Sequence, residues 1–242
     1  MRDAAAIVLA AGQGKRMRSN LPKPLVPVSG EPIIHRLLRA IEGAGVSRVA
    51  VVVGHGAEEM RAAVGDRYAT PLQAVRNGTA HAVDVARDSV AGAAEVFVFV
   101  GDSPLLRAES IEALAEHHRA TGAGCTFLTS DFAQHYPYAR VIRDEAGRVT
   151  GCIEERDCTE EQLKITEYLT SHFLFDGPTL WPILDRVPTH PVTGERYLTD
   201  VIGLMLADGH GIEAVAIEDW RELVGLNTPE DVAWAEGVLA DG

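Results

Sequence analysis

The chain has 242 residues, with 35 acidic against 22 basic side chains for a net charge of −13. That length accommodates one large α/β domain with a sizeable core, and the acidic balance excludes a general nucleic-acid surface. Three cysteines, Cys125, Cys152 and Cys158, form no CxxC pair, which argues against a disulfide framework or zinc site and for a reducing compartment.

The apolar run Ala5–Leu9 has the length and branching of a buried strand and follows the N-terminus almost at once, so no signal peptide is expected. No apolar run approaches membrane-spanning length; the expectation is a cytoplasmic protein with no membrane and no nucleic-acid partner. The strand runs out through Leu9, Ala10 and Ala11 into Gly12, Gln13 and Gly14, followed by the cluster Lys15, Arg16, Arg18 and Lys23. A loop around a polyphosphate must turn main-chain N–H groups inward and admit the ligand closely, which a Cβ obstructs. Arg16 and Lys23 then supply mobile positive charge against phosphate oxygens. A glycine pair after a strand also serves as an ordinary tight turn, and neither a GxGxxG fingerprint nor a Gly-Lys-Ser/Thr loop is present.

Ile33, Ile34, Leu37, Leu38 and Ile41 fall at helical spacing and stop at Gly43 and Gly45. A strand over 48–53, a helix over 57–64 and a short strand near 71–75 follow. This βαβαβ order predicts an α/β fold, a Rossmann-like, mostly parallel sheet flanked by helices, with ligands collecting beyond the carboxyl ends of its strands. Gln73, Gly78 and Thr79 lie at such an end, ahead of a helix from Ala80. Gln73 both donates and accepts, as the imide and carbonyl of a pyrimidine require; Gly78-Thr79 taken alone is equally a turn with an N-cap. EVFVFV over 95–100 is the strongest strand, and Gly101-Asp102-Ser103-Pro104-Leu105 follows it. Asp102 is either an Asx turn or a hard oxygen ligand for Mg²⁺. Helix 108–121 and strand 125–129 complete a nucleotide-binding half, residues 1–131. From about Phe132, strands over 138–143 and 149–154 flank a turn at Gly147 and a third strand covers 166–175, so residues 132–228 read as a small β-rich acceptor half, closed by a helix within 229–242.

The strings LAAGQGKRM, PKPL, QAVRNGTAHA and GDSPLL resemble the signature of the sugar-1-phosphate nucleotidyltransferases, the pyrophosphorylases. YARVIRDEAGRVTGCIEERDCTEEQ, EYLTSHFLF, GERYLTDVI and VGLNTPED are similar, in that order, to the uridyltransferase domain of bacterial bifunctional N-acetylglucosamine-1-phosphate enzymes, over Ala5–Val232. The resemblance implies a single nucleotide-diphospho-sugar transferase fold that condenses UTP with a sugar 1-phosphate to give a UDP-sugar and pyrophosphate, with Mg²⁺. It implies that Leu9, Ala10, Ala11, Gly12, Gly14, Gln73, Gly78 and Thr79 bind nucleotide and that Arg16 and Lys23 are catalytic. Asp102 and Asn227 would hold the metal, and Ala139, Glu154, Leu169 and Thr199 the acceptor. By residue chemistry alone, Asn227 is also an Asx cap for a helix near Pro229, Glu154 a solvated strand-end charge and Thr199 a helix residue.

Several positions depart from the family pattern: Ala80 stands for a glycine, Tyr138-Ala139-Arg140 for Tyr-Gly-Arg, and Leu169-Thr170-Ser171 for Asn-Thr-Gly. A sugar hydroxyl facing Leu169 would lose a hydrogen bond at a cost of about 1–3 kcal/mol. That keeps open another nucleoside triphosphate with a phosphonate, polyol phosphate or cyclitol phosphate acceptor; a non-catalytic nucleotide-sugar sensor is the rival from another class. Hexapeptide repeats are absent, so neither an acetyltransferase β-helix nor the trimer it builds is expected, and the oligomeric state stays open.

Overall fold

Strands rich in Val, Ile and Phe without polar alternation bury both faces, which requires cover on either side of their sheet. The computed structural model, which describes residue 1 and residues 3–241, has that arrangement. Its elements begin with β1 (Ala4–Leu9), β2 (Pro27–Val28), β3 (Glu31–Pro32), α1 (Ile33–Gly43), β4 (Arg48–Val52), α2 (Ala57–Val64), α3 (Thr79–Val85), β5 (Glu95–Val100) and α4 (Ala108–Thr121). They continue with β6 (Cys125–Asp131), β7 (Ala139–Arg143), β8 (Val149–Ile153), β9 (Glu167–Asp176), α5 (Gly177–Asp185), α6 (Asp200–Ala207), β10 (Ile212–Ala216) and α7 (Pro229–Asp241). Gly242, the end of the expected 229–242 segment, lies outside the described residues.

The main sheet runs β10-β6-β9-β5-β1-β4, and the β7/β8 hairpin joins it through β9. β1 is parallel to both neighbours, with Ile7 opposite Ala50 and Val98. Period-two alternation divides its side chains between two apolar clusters: Ala6 and Val8 pack with Phe97, Phe99 and α1, while Ala5 and Ile7 pack with Val98, Phe127 and α3. Thus the parallel, helix-flanked sheet expected from the first half is present. From the second half, β9 enters the sheet between β5 and β6, antiparallel to both, and β10 extends it parallel to β6. The strand expected near 71–75 reduces to isolated bridges at Ala69 and Leu72.

β9 carries an irregularity beside the carboxyl end of β5. Phe127 pairs with Phe173 and Thr129 with Leu169, so two steps along β6 oppose four along β9. Ser171, within the surplus, has a φ of 65°, in the left-handed region. The same bulge brings the His172 ring within 5.9 Å of Phe99, fully buried.

Candidate active site

Beyond the carboxyl ends of β1 and β5 lies a cavity of 450 Å³, within the size range of small-molecule sites. It is lined by Leu9, Ala10, Ala11, Gly12 and Gln13, by Lys23 and Asp102, by Gln73, Arg76, Gly78 and Thr79, and by Glu195 and Tyr197 from the second half.

Four polar side chains expected from distant parts of the chain converge there. The Lys23 ammonium pairs with the Asp102 carboxylate and donates to Asn227 Oδ1 at 3.0 Å; the Arg16 guanidinium donates to the same oxygen at 3.0 Å. The main chain holds this geometry. Leu226 N–H donates to the Asp102 carbonyl at 2.9 Å, Gly225 N–H to the Tyr138 hydroxyl oxygen at 2.9 Å, and Asn227 Nδ2 to the Gly225 carbonyl at 2.9 Å, which leaves Oδ1 aimed at the cations. Burial, reinforced by the Asp102 charge, pushes the Tyr138 hydroxyl well above the usual phenol range, so it stays neutral. The Asx-cap role expected for Asn227 belongs instead to its neighbours. Thr228 Oγ1 accepts from Asp231 N–H, and the Asp231 carboxylate accepts from the N–H groups of Asn227 and Thr228, a reciprocal capping box.

The loop glycines differ in what they meet. Gly14 has a φ of 59°, and a Cβ there would lie 2.6 Å from Lys23 Cβ, so this glycine lets the lysine cross the loop. A Cβ on Gly12, which lines the cavity, would meet no atom within 4 Å. Gly78, at a φ of 95°, packs against the loop before α6, where a Cβ would lie 2.3 Å from the Arg196 carbonyl oxygen. Thr79 Oγ1 accepts from Leu198 N–H at 2.9 Å, so the Gly-Thr pair clamps the segment that carries Glu195 and Tyr197 onto the nucleotide half. Gln73 Nε2 lies 3.0 Å from the Gly78 carbonyl and 3.1 Å from His81 Nδ1.

On the acceptor side, Thr199 Oγ1 donates to Glu154 Oε1 at 2.7 Å, and the Arg156 guanidinium lies 4.5 Å from the Tyr197 ring centre. Ala139 and Leu169, expected at the acceptor pocket, lie in the sheet. They oppose one another across the β7/β9 pairing and are 3% and 2% exposed, within the apolar core with Phe127 and Phe173. Arg76, Gln13, Glu195 and Tyr197 line the cavity without having been singled out. They sit inside or beside the motif strings, yet a lone Arg or Tyr there has no spacing that sets it apart from a surface residue.

Among the described residues no group of three or more His, Cys, Asp or Glu could cage a metal. Asp102 and Asn227 nevertheless offer two hard oxygens to one cation, the Lys23 ammonium. That donor set fits Mg²⁺, which takes one or two protein ligands and completes its shell with water and substrate phosphates. No helix among the described residues is long and apolar enough to cross a membrane.

A family model described as a MobA-like NTP transferase domain matches residues 6–212. The chain is 40% identical over 242 residues to the protein named bifunctional protein GlmU of Heliobacterium modesticaldum, covering all of this chain and 53% of that one. It is 38% identical over 240 residues to the protein of that name from Bacillus cytotoxicus and 37% identical over 240 residues to the one from Enterococcus faecalis, covering 99% of this chain and 52% of each relative. The chain thus spans about half the length of the curated relatives it matches.

Proposed function

The chain belongs to the MobA-like NTP transferase family, and from that membership we propose that it condenses UTP with a sugar 1-phosphate, N-acetylglucosamine 1-phosphate or a related sugar, releasing pyrophosphate and a UDP-sugar. The observation that carries the proposal is the meeting of Arg16, Lys23, Asp102 and Asn227 beside the cavity that Lys23 and Asp102 line, although up to 211 positions separate them in sequence.

In this reaction an acceptor phosphate oxygen attacks the α-phosphorus of the triphosphate, a new P–O bond forms, and the bond from the α-phosphorus to the bridging oxygen breaks as pyrophosphate leaves. Such a displacement needs no protein nucleophile; it needs two polyanions held in line while charge accumulates on the leaving group. Leu9 to Gly12 line the nucleotide side, and Gly14 gives Lys23 its path between the two phosphates. Arg16 stabilises the departing pyrophosphate. Asp102 and Asn227 would hold Mg²⁺, which supplies neutralising charge at the phosphoryl oxygens. Glu154 and Thr199 present a coupled carboxylate and hydroxyl for sugar hydroxyls on the acceptor side.

The test is a panel of nucleoside triphosphates against sugar 1-phosphates, a polyol phosphate, a cyclitol phosphate and a phosphonate, read by pyrophosphate release with Mg²⁺ present and removed. Metal-dependent release with UTP and a sugar 1-phosphate is expected. Turnover confined to another nucleotide or acceptor overturns the substrate assignment, and nucleotide binding without release from any pair would make the chain a sensor.

A further inference from the structure

Asn227 turns its amide oxygen to the cations because its other end is held. A main-chain carbonyl accepts and never donates, so the group 2.9 Å from the Gly225 carbonyl is the amide nitrogen, and Oδ1 is the atom that faces Lys23 and Arg16, which only donate. Asp102 rests on the same glycine. Leu226 N–H donates to the Asp102 carbonyl at 2.9 Å, and a Cβ on Gly225 would lie 2.8 Å from Asp102 Oδ1. Both oxygen donors of the site are therefore placed by residue 225, which is buried. The N–H of that residue is in turn held by a side chain 87 positions back: it donates to the Tyr138 hydroxyl oxygen at 2.9 Å. The Tyr138 ring is set by a stack on Tyr136 at 5.4 Å and an edge contact with Phe132 at 5.8 Å.

We infer that Tyr138 is a positioning residue for the metal: through Gly225 its hydroxyl fixes where the Asp102 and Asn227 oxygens stand, and so sets the affinity for a divalent cation that it does not itself touch. This rests on the reading of those two oxygens as a Mg²⁺ site. Groups that hold a metal's ligands from behind govern affinity nearly as strongly as the ligands do. Phenylalanine at 138 keeps the ring and leaves the buried Gly225 N–H unpaired, so the main chain there shifts to find another acceptor and carries the anchor of Asn227 with it. Gly225 lacks a left-handed φ, so its backbone accepts alanine; the atom that must yield to the new methyl is the end of the Asp102 side chain, not main chain.

The test is titration with Mn²⁺, which takes the same oxygen donors as Mg²⁺, in the presence of UTP without any acceptor. Water-proton relaxation distinguishes metal on the protein from metal on free nucleotide. Mn²⁺ binding is expected to weaken about tenfold or more in Tyr138→Phe and in Gly225→Ala, and by less than the product of the two in the double variant, because both act through residue 225. Tyr136→Phe removes a hydroxyl from the same aromatic cluster, one that accepts from Gln134 Nε2 at 2.7 Å, and is expected to stay within about twofold of wild type. UTP affinity measured without metal is likewise expected within about twofold in every variant. A role confined to packing would lower the melting temperature and leave the Mn²⁺ affinity of the folded protein unchanged; that result, an equal loss in Tyr136→Phe, or losses that multiply in the double variant overturns the proposal. Should Tyr138→Phe fail to fold by circular dichroism, Gly225→Ala decides in its place, and an unchanged affinity there is equally fatal. A wild type that binds UTP but places no Mn²⁺ on the protein overturns this role together with the metal site, whereas wild-type binding with unaltered variants removes the role of Tyr138 alone. Pyrophosphate release on the same preparations separates both from the reaction: Mn²⁺ held through Tyr138 without turnover removes only the transferase.

Discussion

Gly12 and Gly14 stand two residues apart and answer to different demands. Gly14 is required by the fold, through its left-handed φ and its contact with Lys23; a Cβ on Gly12 would meet nothing within 4 Å among the described residues, so its missing side chain matters to whatever enters the cavity. Gly12→Ala is therefore expected to leave the melting temperature within about 2 °C of wild type while raising the KM for the nucleotide roughly tenfold or more. Gly14→Ala is expected to cost about 1–3 kcal/mol of stability from backbone strain alone. Unfolding curves and nucleotide KM values for the two variants check the pair; equal stability losses would show that Gly12 is also a structural glycine. At this scale the sequence was informative wherever a charged or flexible residue lies just beyond an apolar strand, as at Gly12 and Asp102. It was silent on what a side chain does with its second hydrogen bond. Nothing in the order of residues shows that Gln73 spends both N–H groups inside the protein, or that the cap beside Asn227 is made by Thr228 and Asp231.

Among the elements, β9 joins the two halves of the molecule, and its irregular middle sits where the acceptor side meets the sheet. Ser171 holds a left-handed φ of 65° at the position where the family pattern has glycine. Such a residue carries about 1–3 kcal/mol of strain, against the roughly 0.5–1 kcal/mol that glycine loses through its greater freedom in the unfolded chain. Strain is the larger of the two, so Ser171→Gly should raise the unfolding free energy by about 0.5–1 kcal/mol, measured by denaturant titration; a loss of stability would show that the Ser171 side chain contributes more than its backbone costs. The apolar run that makes β9 was legible as a strand, and so was the β7/β8 hairpin with its glycine turn. The direction and neighbours of β9 were not, because an apolar strand buried on both faces has the same composition in parallel and antiparallel company. The helix α6 was legible only at Thr199, and α5 carries a capping signal, Asp176 accepting from Thr179 N–H at 2.9 Å.

Over the whole molecule, burial of neutral histidines links stability to acid. His172 is enclosed with neither ring nitrogen hydrogen-bonded, and burial pushes its pKa from the ordinary 6.5 down to about 4, a pull that the Asp102 charge opposes. Burial also lowers His118, whose Nδ1 lies 2.8 Å from Thr126 Oγ1. Above pH 6.5 these rings are neutral folded or unfolded and contribute no pH dependence. As pH falls below 6.5 the unfolded chain takes protons first, and for His172 the stability loss grows until about pH 4. With about 1.4 kcal/mol per pKa unit, the full loss from His172 is on the order of 3 kcal/mol. His172→Leu should therefore lose less unfolding free energy than wild type between pH 7 and pH 4, by roughly 2–3 kcal/mol; equal losses would assign the acid sensitivity elsewhere.

The same global arrangement, a sheet whose strand ends bring separated cations and oxygen ligands to one cavity, is tested most directly by pyrophosphate release from UTP and N-acetylglucosamine 1-phosphate with Mg²⁺, in wild type, Lys23→Ala and Asp102→Asn. The expected result is release matched one for one by UDP-sugar in the wild type, reduced by about a hundredfold or more in each variant while the fold is retained. Release undiminished in either variant would contradict the assignment of the site, and a wild type that releases no pyrophosphate from any pairing of nucleotide and acceptor would contradict the reaction itself.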